Sequence, residues 1–230
     1  MILEAARLSA SEILTPRFRK VVWKSVGMTI LLFIGMWFAL ESASSTLLTP
    51  FIGPWPWLTT AIAWLLGAGV LVGAGFLLAP VTAIFAGFFI DDIAQHVEET
   101  HYSEDQPGKA VPLDISIWLA LKFTVLVILA NLFALLLVLL PGINFAIFFF
   151  VNGYLLGREF FQFAAMRFRT EKEAALLRKK NSLVVFAAGL LIAALMSVPI
   201  VNLFTPVFAA GMMVHLHKMI SARQPIQETE

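Results

Sequence analysis

Cysteine is absent from the 230 residues, and charged side chains are scarce at 13%. The lack of cysteine excludes disulfides, thiolate nucleophiles and cysteine-ligated metals. A soluble domain carries about 25% charged residues, so this chain has too little polar surface to cover a water-soluble globule. With 60% hydrophobic residues and a mean hydropathy of +0.87, the composition predicts an integral membrane protein. The net charge of +1 provides no overall field for binding nucleic acid.

Two long segments lack charge altogether. Residues 58–90 and 123–157 contain no Asp, Glu, Lys, Arg or His over 33 and 35 residues. A straight helix needs only about 20 residues to cross a bilayer core about 30 Å thick. In the second segment the surplus is divided by Pro141, and Pro199 divides a later apolar segment in the same way. Each arm of about 15 residues reaches only about 23 Å, which predicts helical hairpins that enter and leave the membrane by the same face.

The two prolines begin matching P-x-x-N elements, Pro141 to Asn144 and Pro199 to Asn202. A turn inside a bilayer leaves backbone groups that lipid cannot pair. We therefore expect the amides of Asn144 and Asn202 to satisfy these groups at the hairpin tips.

The fold class predicted is an all-α membrane protein within a single integral membrane domain, residues 1–230. It has two long transmembrane helices, two proline-broken re-entrant or hemi-penetrating hairpins and an N-terminal amphipathic helix. The first membrane segment is interpreted as a retained helix, since the polar residues before it are too many for a cleaved signal. The predicted parts are an amphipathic helix 1–14, spanning helices 16–41 and 58–90, an acidic polar segment 91–114, a hairpin 115–163, a basic polar helix 164–182 and a hairpin 183–220.

The N-terminal helix has an apolar face of Ile2, Ala6, Ala10 and Ile13, which predicts that it lies at the membrane interface. If the N-terminus is cytoplasmic, the predicted topology places every Lys and Arg on the cytoplasmic side, as the positive-inside rule requires. Both termini of this multi-pass protein are then cytoplasmic.

The start of the first membrane helix gathers positive charge. Thr15 followed by Pro16 is a helix-start signal, and Arg17, Arg19 and Lys20 follow within four residues. A helix N-terminus exposes unpaired N–H groups that attract oxyanions, and arginine forks bind such oxygens in bidentate fashion. The segment Thr15, Arg17, Arg19 and Lys20 is therefore a candidate anion-binding site, although the same charges also suit anchoring to lipid phosphates.

Metal chemistry is a weaker alternative. Asp92, His96 and Glu99 can share one helical face, but a helix end that enters a solvated acidic loop is the commoner explanation of such a set. His215 and His217 are two residues apart and point in different directions on a helix, so an interfacial role is favoured over metal ligation. The sequence predicts no metal site and no cofactor.

Four segments in order carry a family resemblance that extends from about Leu8 to Lys218. The chain resembles the CysZ-type sulfate permeases of the wider EI24 family. The segments are "LTPRFRK", "APVTAIFAGFFIDDI", "NGYLLGREFF" and "VPIVNLFTPVFAAGMMVH".

The resemblance implies a non-enzymatic permease or channel for sulfate or a related oxyanion in the bacterial inner membrane, feeding sulfur assimilation and cysteine synthesis. It implies an oligomer in the lipid bilayer, with Arg17 and Arg19 at the anion site. We expect a homo-oligomer in which the hairpin tips, Pro141, Asn144, Pro199 and Asn202, line or prop the conduit. The segment "ILTPRF" lacks the glycine-rich loop of the family's anion site. The resemblance also implies protomers of opposite orientation, whereas the charge distribution predicts one orientation. The alternative function is a non-transporting membrane scaffold or assembly factor.

Overall fold

The computed structural model describes residues 1–47, 49–112, 114–115, 118, 121, 125, 129 and 144–223. Most of these residues are helical and none of them lies in a strand. The predicted fold class, an all-α membrane protein, is confirmed. The helices are α1 (Ile2–Ile13), α2 (Pro16–Leu47), α3 (Thr49–Ile52), α4 (Pro56–Gly87), α5 (Ile90–His101), α6 (Asn144–Met166), α7 (Glu171–Lys180), α8 (Ser182–Met196), α9 (Pro199–Asn202) and α10 (Thr205–Arg223).

Local sequence signals explain where several helices begin. Proline is the first residue of α2, α4 and α9, because its fixed φ suits the first turn and that turn needs no N–H donor. Helix α7 begins with a capping box, in which Thr170 and Glu173 each accept a hydrogen bond from the other's backbone N–H. Helix α2 extends past its predicted end at Glu41 to Leu47, since residues 42–47 contain no proline or glycine that would end it.

Two described helical segments are long and apolar enough to cross a membrane, Pro16–Leu47 and Pro56–Ala74. Helices α7 and α8 form a pair bent by 90°, which is the geometry of a broken span or a re-entrant loop. At the second predicted hairpin, the short helix α9 joins α8 to α10. The tip of the first predicted hairpin, including Pro141, lies outside the described residues.

The chain forms two compact units, Met1–Arg19 with Phe89–Glu230, and Lys20–Phe88. In the smaller unit, the buried hydroxyls of Thr29 and Thr82 are 3.1 Å apart and share a hydrogen bond. A Cβ at Gly67 would lie 3.4 Å from the ring of Trp37. These two contacts join α2 to α4.

Helix α10 is the centre of the larger unit. Residues 205–217 are all buried, and α1, α5 and α6 pack around the helix. A helix that is buried on all sides is typical of a protein interior. The second arm of this hairpin is therefore covered largely by protein.

Helices α6 and α8 approach each other at three glycines. A Cβ at Gly189 would lie 2.7 Å from the Cα of Gly157 and closer still to the carbonyl oxygen of Gly153. The two backbones touch because none of the three residues has a side chain.

Helix α1 packs on α10 through a face other than the apolar one predicted to lie at the membrane interface. The buried residues are Ala5, Ser9 and Glu12, and the Ser9 hydroxyl donates a hydrogen bond to the carbonyl oxygen of Phe208 over 2.8 Å. A Cβ at Gly211 would lie 2.8 Å from the Ser9 hydroxyl oxygen. The absence of a side chain at Gly211 thus leaves room for the polar face of α1 to pack on α10.

Candidate anion site

The cationic start of α2 lies at the surface of the protein. Thr15 is half-buried, and Arg17, Arg19 and Lys20 are exposed. The Thr15 carbonyl accepts the first bond of the helix from Arg19 N–H over 3.0 Å. Its hydroxyl donates to the Glu12 carbonyl over 2.6 Å, which ties the helix start back to α1.

Arg17 has a carboxylate partner. Its Nη1 donates to Glu99 Oε2 over 3.0 Å, and Gln95 donates to the other oxygen over 2.7 Å. These hydrogen bonds, first from Gln95 and then from Arg17, hold the pKa of Glu99 below its usual range. An anion that binds Arg17 must compete with this carboxylate.

The residues of the weaker metal hypothesis, Asp92, His96 and Glu99, do not converge. Asp92 is exposed, and His96 meets the Phe18 ring edge-on with centroids 5.9 Å apart. Glu99 is engaged by Arg17. Among the described residues, these three do not form a metal-ligand cluster.

Of the predicted hairpin tips, the structure describes the second. Pro199 is the first residue of α9, and Asn202 is its last. The Asn202 side-chain oxygen is buried and accepts no hydrogen bond from the described residues, so this oxygen satisfies no freed backbone N–H among them. That the NH2 group of the same amide satisfies a freed carbonyl stays a prediction. Asn202 lines a cavity of about 250 Å³ between α6, α8 and α9. Asn144 begins α6, and its side chain lies outside the described part of the chain.

A larger cavity, of about 1220 Å³, lies beside the turn between α6 and α7. Arg167, Phe168 and Arg169 from that turn line one side, and His217 and Ser221 of α10 line another. The charged residues around it are Lys109, Arg167, Arg169 and Lys218, with Asp105, Asp114, Glu171 and Glu173.

Two of these cations are paired with carboxylates. Arg167 is buried and forms ion pairs with Glu98, at 2.7 Å, and with Asp91. Lys218 lies 3.0 Å from Asp105 and 4.2 Å from the centroid of the Phe168 ring. These charges are compensated within the protein.

Arg169 is different. Its Nη2 donates to the Ser221 hydroxyl over 3.3 Å, and that hydroxyl is 3.2 Å from His217 Nε2. Its buried Nε has no hydrogen-bond partner among the described residues. Arg169 forms no ion pair with a carboxylate of those residues, although its charge, after the hydrogen bonds from Thr170, helps to lower the pKa of Glu173. A guanidinium on a cavity wall with an unused donor, next to a hydroxyl, can bind an oxyanion.

Arg169 is not among the site residues that the sequence predicts. The tripeptide Arg-Phe-Arg occurs twice, at residues 17–19 and 167–169, and the second copy falls within the predicted basic polar helix 164–182. His217 was expected at the membrane interface together with His215, and that expectation is wrong because both are buried against neighbouring helices. The repeat of the tripeptide Arg-Phe-Arg is the sequence signal that could have indicated Arg169.

Comparison with known proteins identifies the family. No curated protein matches the chain. A protein-family model described as "Sulfate transporter CysZ/Etoposide-induced protein 2.4" matches residues 5–206, which is most of the chain and includes Arg17 and Arg169. The chain therefore belongs to the EI24 family, and the predicted resemblance is confirmed.

Proposed function

We propose that the protein is a permease or channel for sulfate or a related oxyanion in the bacterial inner membrane, where it feeds sulfur assimilation and cysteine synthesis. The family supports a sulfate-transporter-like role in general. The observation that carries the proposal is Arg169, a partly buried guanidinium on a cavity wall with a free Nε donor and no carboxylate partner among the described residues.

The groups around Arg169 suit the binding of a divalent oxyanion. Removing such an ion from water is costly unless charged or polar groups replace its hydration. In this proposal Arg169 supplies the charge and the Ser221 hydroxyl supplies a further hydrogen-bonding group. Thr15, Arg17, Arg19 and Lys20 form an outer site that attracts the anion from solution, and Asn202 lines part of the conduit.

The conduit itself is proposed to lie between protomers of a homo-oligomer, because a water-filled pore needs more wall than one small protomer provides. On α4, the side chains of Trp64, Leu65 and Leu71 are exposed, which suits contact with lipid or with another copy.

Radiolabelled sulfate uptake into proteoliposomes tests this function. Protein-containing vesicles should take up sulfate faster than empty vesicles, and Arg169→Gln should lower the rate at least tenfold. Arg7→Gln is the matched control, because it removes a guanidinium from the exposed surface of α1 and should leave the rate unchanged. Equal uptake by protein-containing and empty vesicles would overturn the transport function and favour the scaffold alternative.

A further inference from the structure

Three side chains of types that bind metals, each from a different helix, lie close together in the larger unit. They do not line the Arg169 cavity. Glu12 lies near the end of α1, His101 is the last residue of α5, and His215 is in the middle of α10. Their potential ligand atoms all lie within 4.8 Å of one another. Glu12 Oε1 is 2.8 Å from His101 Nε2 and 3.5 Å from His215 Nε2.

The cluster is buried but its polar atoms are not satisfied. The side chain of Glu12 is 4% exposed and that of His215 is 0% exposed. Neither oxygen of Glu12 makes a hydrogen bond of acceptable geometry with a described residue, despite the short approach of His101, and neither does His215 Nε2. A buried carboxylate that no well-formed hydrogen bond or cation balances costs several kcal/mol, and such groups in a native protein call for an ion or a water.

We propose that Glu12, His101 and His215 bind a zinc-class divalent cation. Two imidazoles and one carboxylate favour zinc and its first-row neighbours over calcium or magnesium, which prefer oxygen ligands. In a tetrahedral site with bonds of about 2.0 to 2.1 Å, ligand atoms are about 3.3 Å apart. The two distances from Glu12 Oε1, 2.8 and 3.5 Å, lie on either side of this spacing. Three protein ligands leave a fourth position for water.

A neighbouring hydroxyl already orients one ligand. The Tyr102 hydroxyl is 2.9 Å from His215 Nδ1, so His215 can donate its Nδ1 proton to that oxygen and present Nε2 to the metal. A hydrogen bond of this kind on the second nitrogen is the usual support of a metal-bound histidine.

The site has both a route for the ion and a structural consequence. His101 is 31% exposed, so an ion can reach the cluster from solvent. A bound cation would join α1 and α5 to the central helix α10, and would thereby fix the segment that leads into the first membrane helix. This role does not depend on sulfate transport.

Metal binding by the full-length protein in detergent tests the proposal. The protein is stripped with a chelator, titrated with zinc against a chromophoric competitor, desalted and assayed for bound metal. One zinc per chain is expected, and cobalt in its place should give the visible absorption bands of a four-coordinate site. Zinc should also raise the melting temperature, because it binds only the folded protein.

Variants locate the ion. His101→Asn should abolish tight binding and the thermal shift; it changes the most exposed of the three ligands, and so disturbs the core least. His96→Asn, on the same helix, is the matched control and should bind zinc as the wild type does. Tyr102→Phe should weaken binding by about 10- to 100-fold. Failure of the stripped wild type to retain zinc, or equal retention by His101→Asn, would overturn the proposal, whatever the result of sulfate uptake.

Discussion

Arg17 Nη1 donates a hydrogen bond to Glu99 Oε2 across 3.0 Å, which joins the first turn of α2 to α5 over a separation of 82 residues. Both side chains are about half exposed. The Glu99 carboxylate occupies one edge of the Arg17 guanidinium, to which sulfate would bind in the proposed outer site. Glu99 therefore competes with the anion for Arg17.

Removing that competitor should strengthen anion binding. Glu99→Gln deletes the negative charge beside Arg17, and we expect sulfate affinity to rise by less than about fivefold, because exposed ion pairs are weak. Equilibrium binding of labelled sulfate measures it. Glu104→Gln, an equal charge change at an exposed loop position, is the control. A fall in affinity on Glu99→Gln would contradict the outer site.

The ion pair between Arg17 and Glu99 should also persist in mild acid. The pKa of Glu99 is lowered by Gln95 and by Arg17, and the ordinary value for glutamate is about 4.3. A carboxyl with a lowered pKa stabilises the folded state above its ordinary pKa, and that contribution is lost as the pH falls through the lowered one. The affinity ratio of Glu99→Gln to wild type should therefore be the same at neutral pH and at about pH 5.5. If the affinities of Glu99→Gln and wild type were closer to each other at about pH 5.5 than at neutral pH, the pKa of Glu99 would not be lowered.

Arg167 and Glu98 should matter most for stability. Glu98 accepts from Arg167 Nε at 2.7 Å and from the Gly108 N–H at 2.9 Å. The buried pair therefore joins α5 to the turn after α6, and the Gly108 bond joins α5 to the loop that follows it. Arg167→Met leaves Glu98 buried without its cation and should lower the free energy of unfolding by about 3 to 5 kcal/mol.

Denaturant unfolding in detergent measures this loss. Adding Glu98→Gln to Arg167→Met should recover part of it, since the unpaired charge is then gone. A double variant less stable than Arg167→Met would show that the hydrogen bonds of Glu98, rather than its charge, dominate.

The contact between α6 and α8 should not tolerate a methyl group. Gly189→Ala places a Cβ against the backbone of Gly153 and Gly157, and overpacking of this kind typically costs about 1 to 3 kcal/mol. We expect a lower melting temperature in detergent.

Gly69→Ala is the matched control for that substitution. A Cβ at Gly69 has nothing within 4 Å, and alanine is the better helix former by about 0.5 to 1 kcal/mol. Its melting temperature should stay level or rise. Equal melting temperatures for the two variants would contradict the close approach of α6 to α8.

The absence of cysteine makes membrane orientation measurable without background. Ser11→Cys on α1 and Ser45→Cys near the end of α2 each introduce one exposed thiol. With a cytoplasmic N-terminus, a membrane-impermeant maleimide added to intact cells should label Ser45→Cys, and should label Ser11→Cys only after lysis. Partial labelling of both in intact cells would indicate two orientations.

Much of the fold was predictable because its determinants are local. Scarce charge and long apolar runs predict membrane helices, and the prolines at positions 16, 56 and 199 mark helix starts wherever the rest of the chain lies. The candidate site was only partly predictable. The Arg17 segment is visible in the sequence as a charge cluster, but its pairing with Glu99 is not.

The sequence by itself determined the all-α membrane class, several helix boundaries and the family, because helix periodicity, hydropathy and proline geometry act over a few residues. Only the tertiary structure decided that Arg169 lines a cavity without a carboxylate partner among the described residues, that His215 is buried, and that Glu12 meets His101. These outcomes depend on which helix faces pack together. The small size of residues such as Gly211 and Gly189 selects those faces. The hydropathy of a single segment does not reveal which faces pack together.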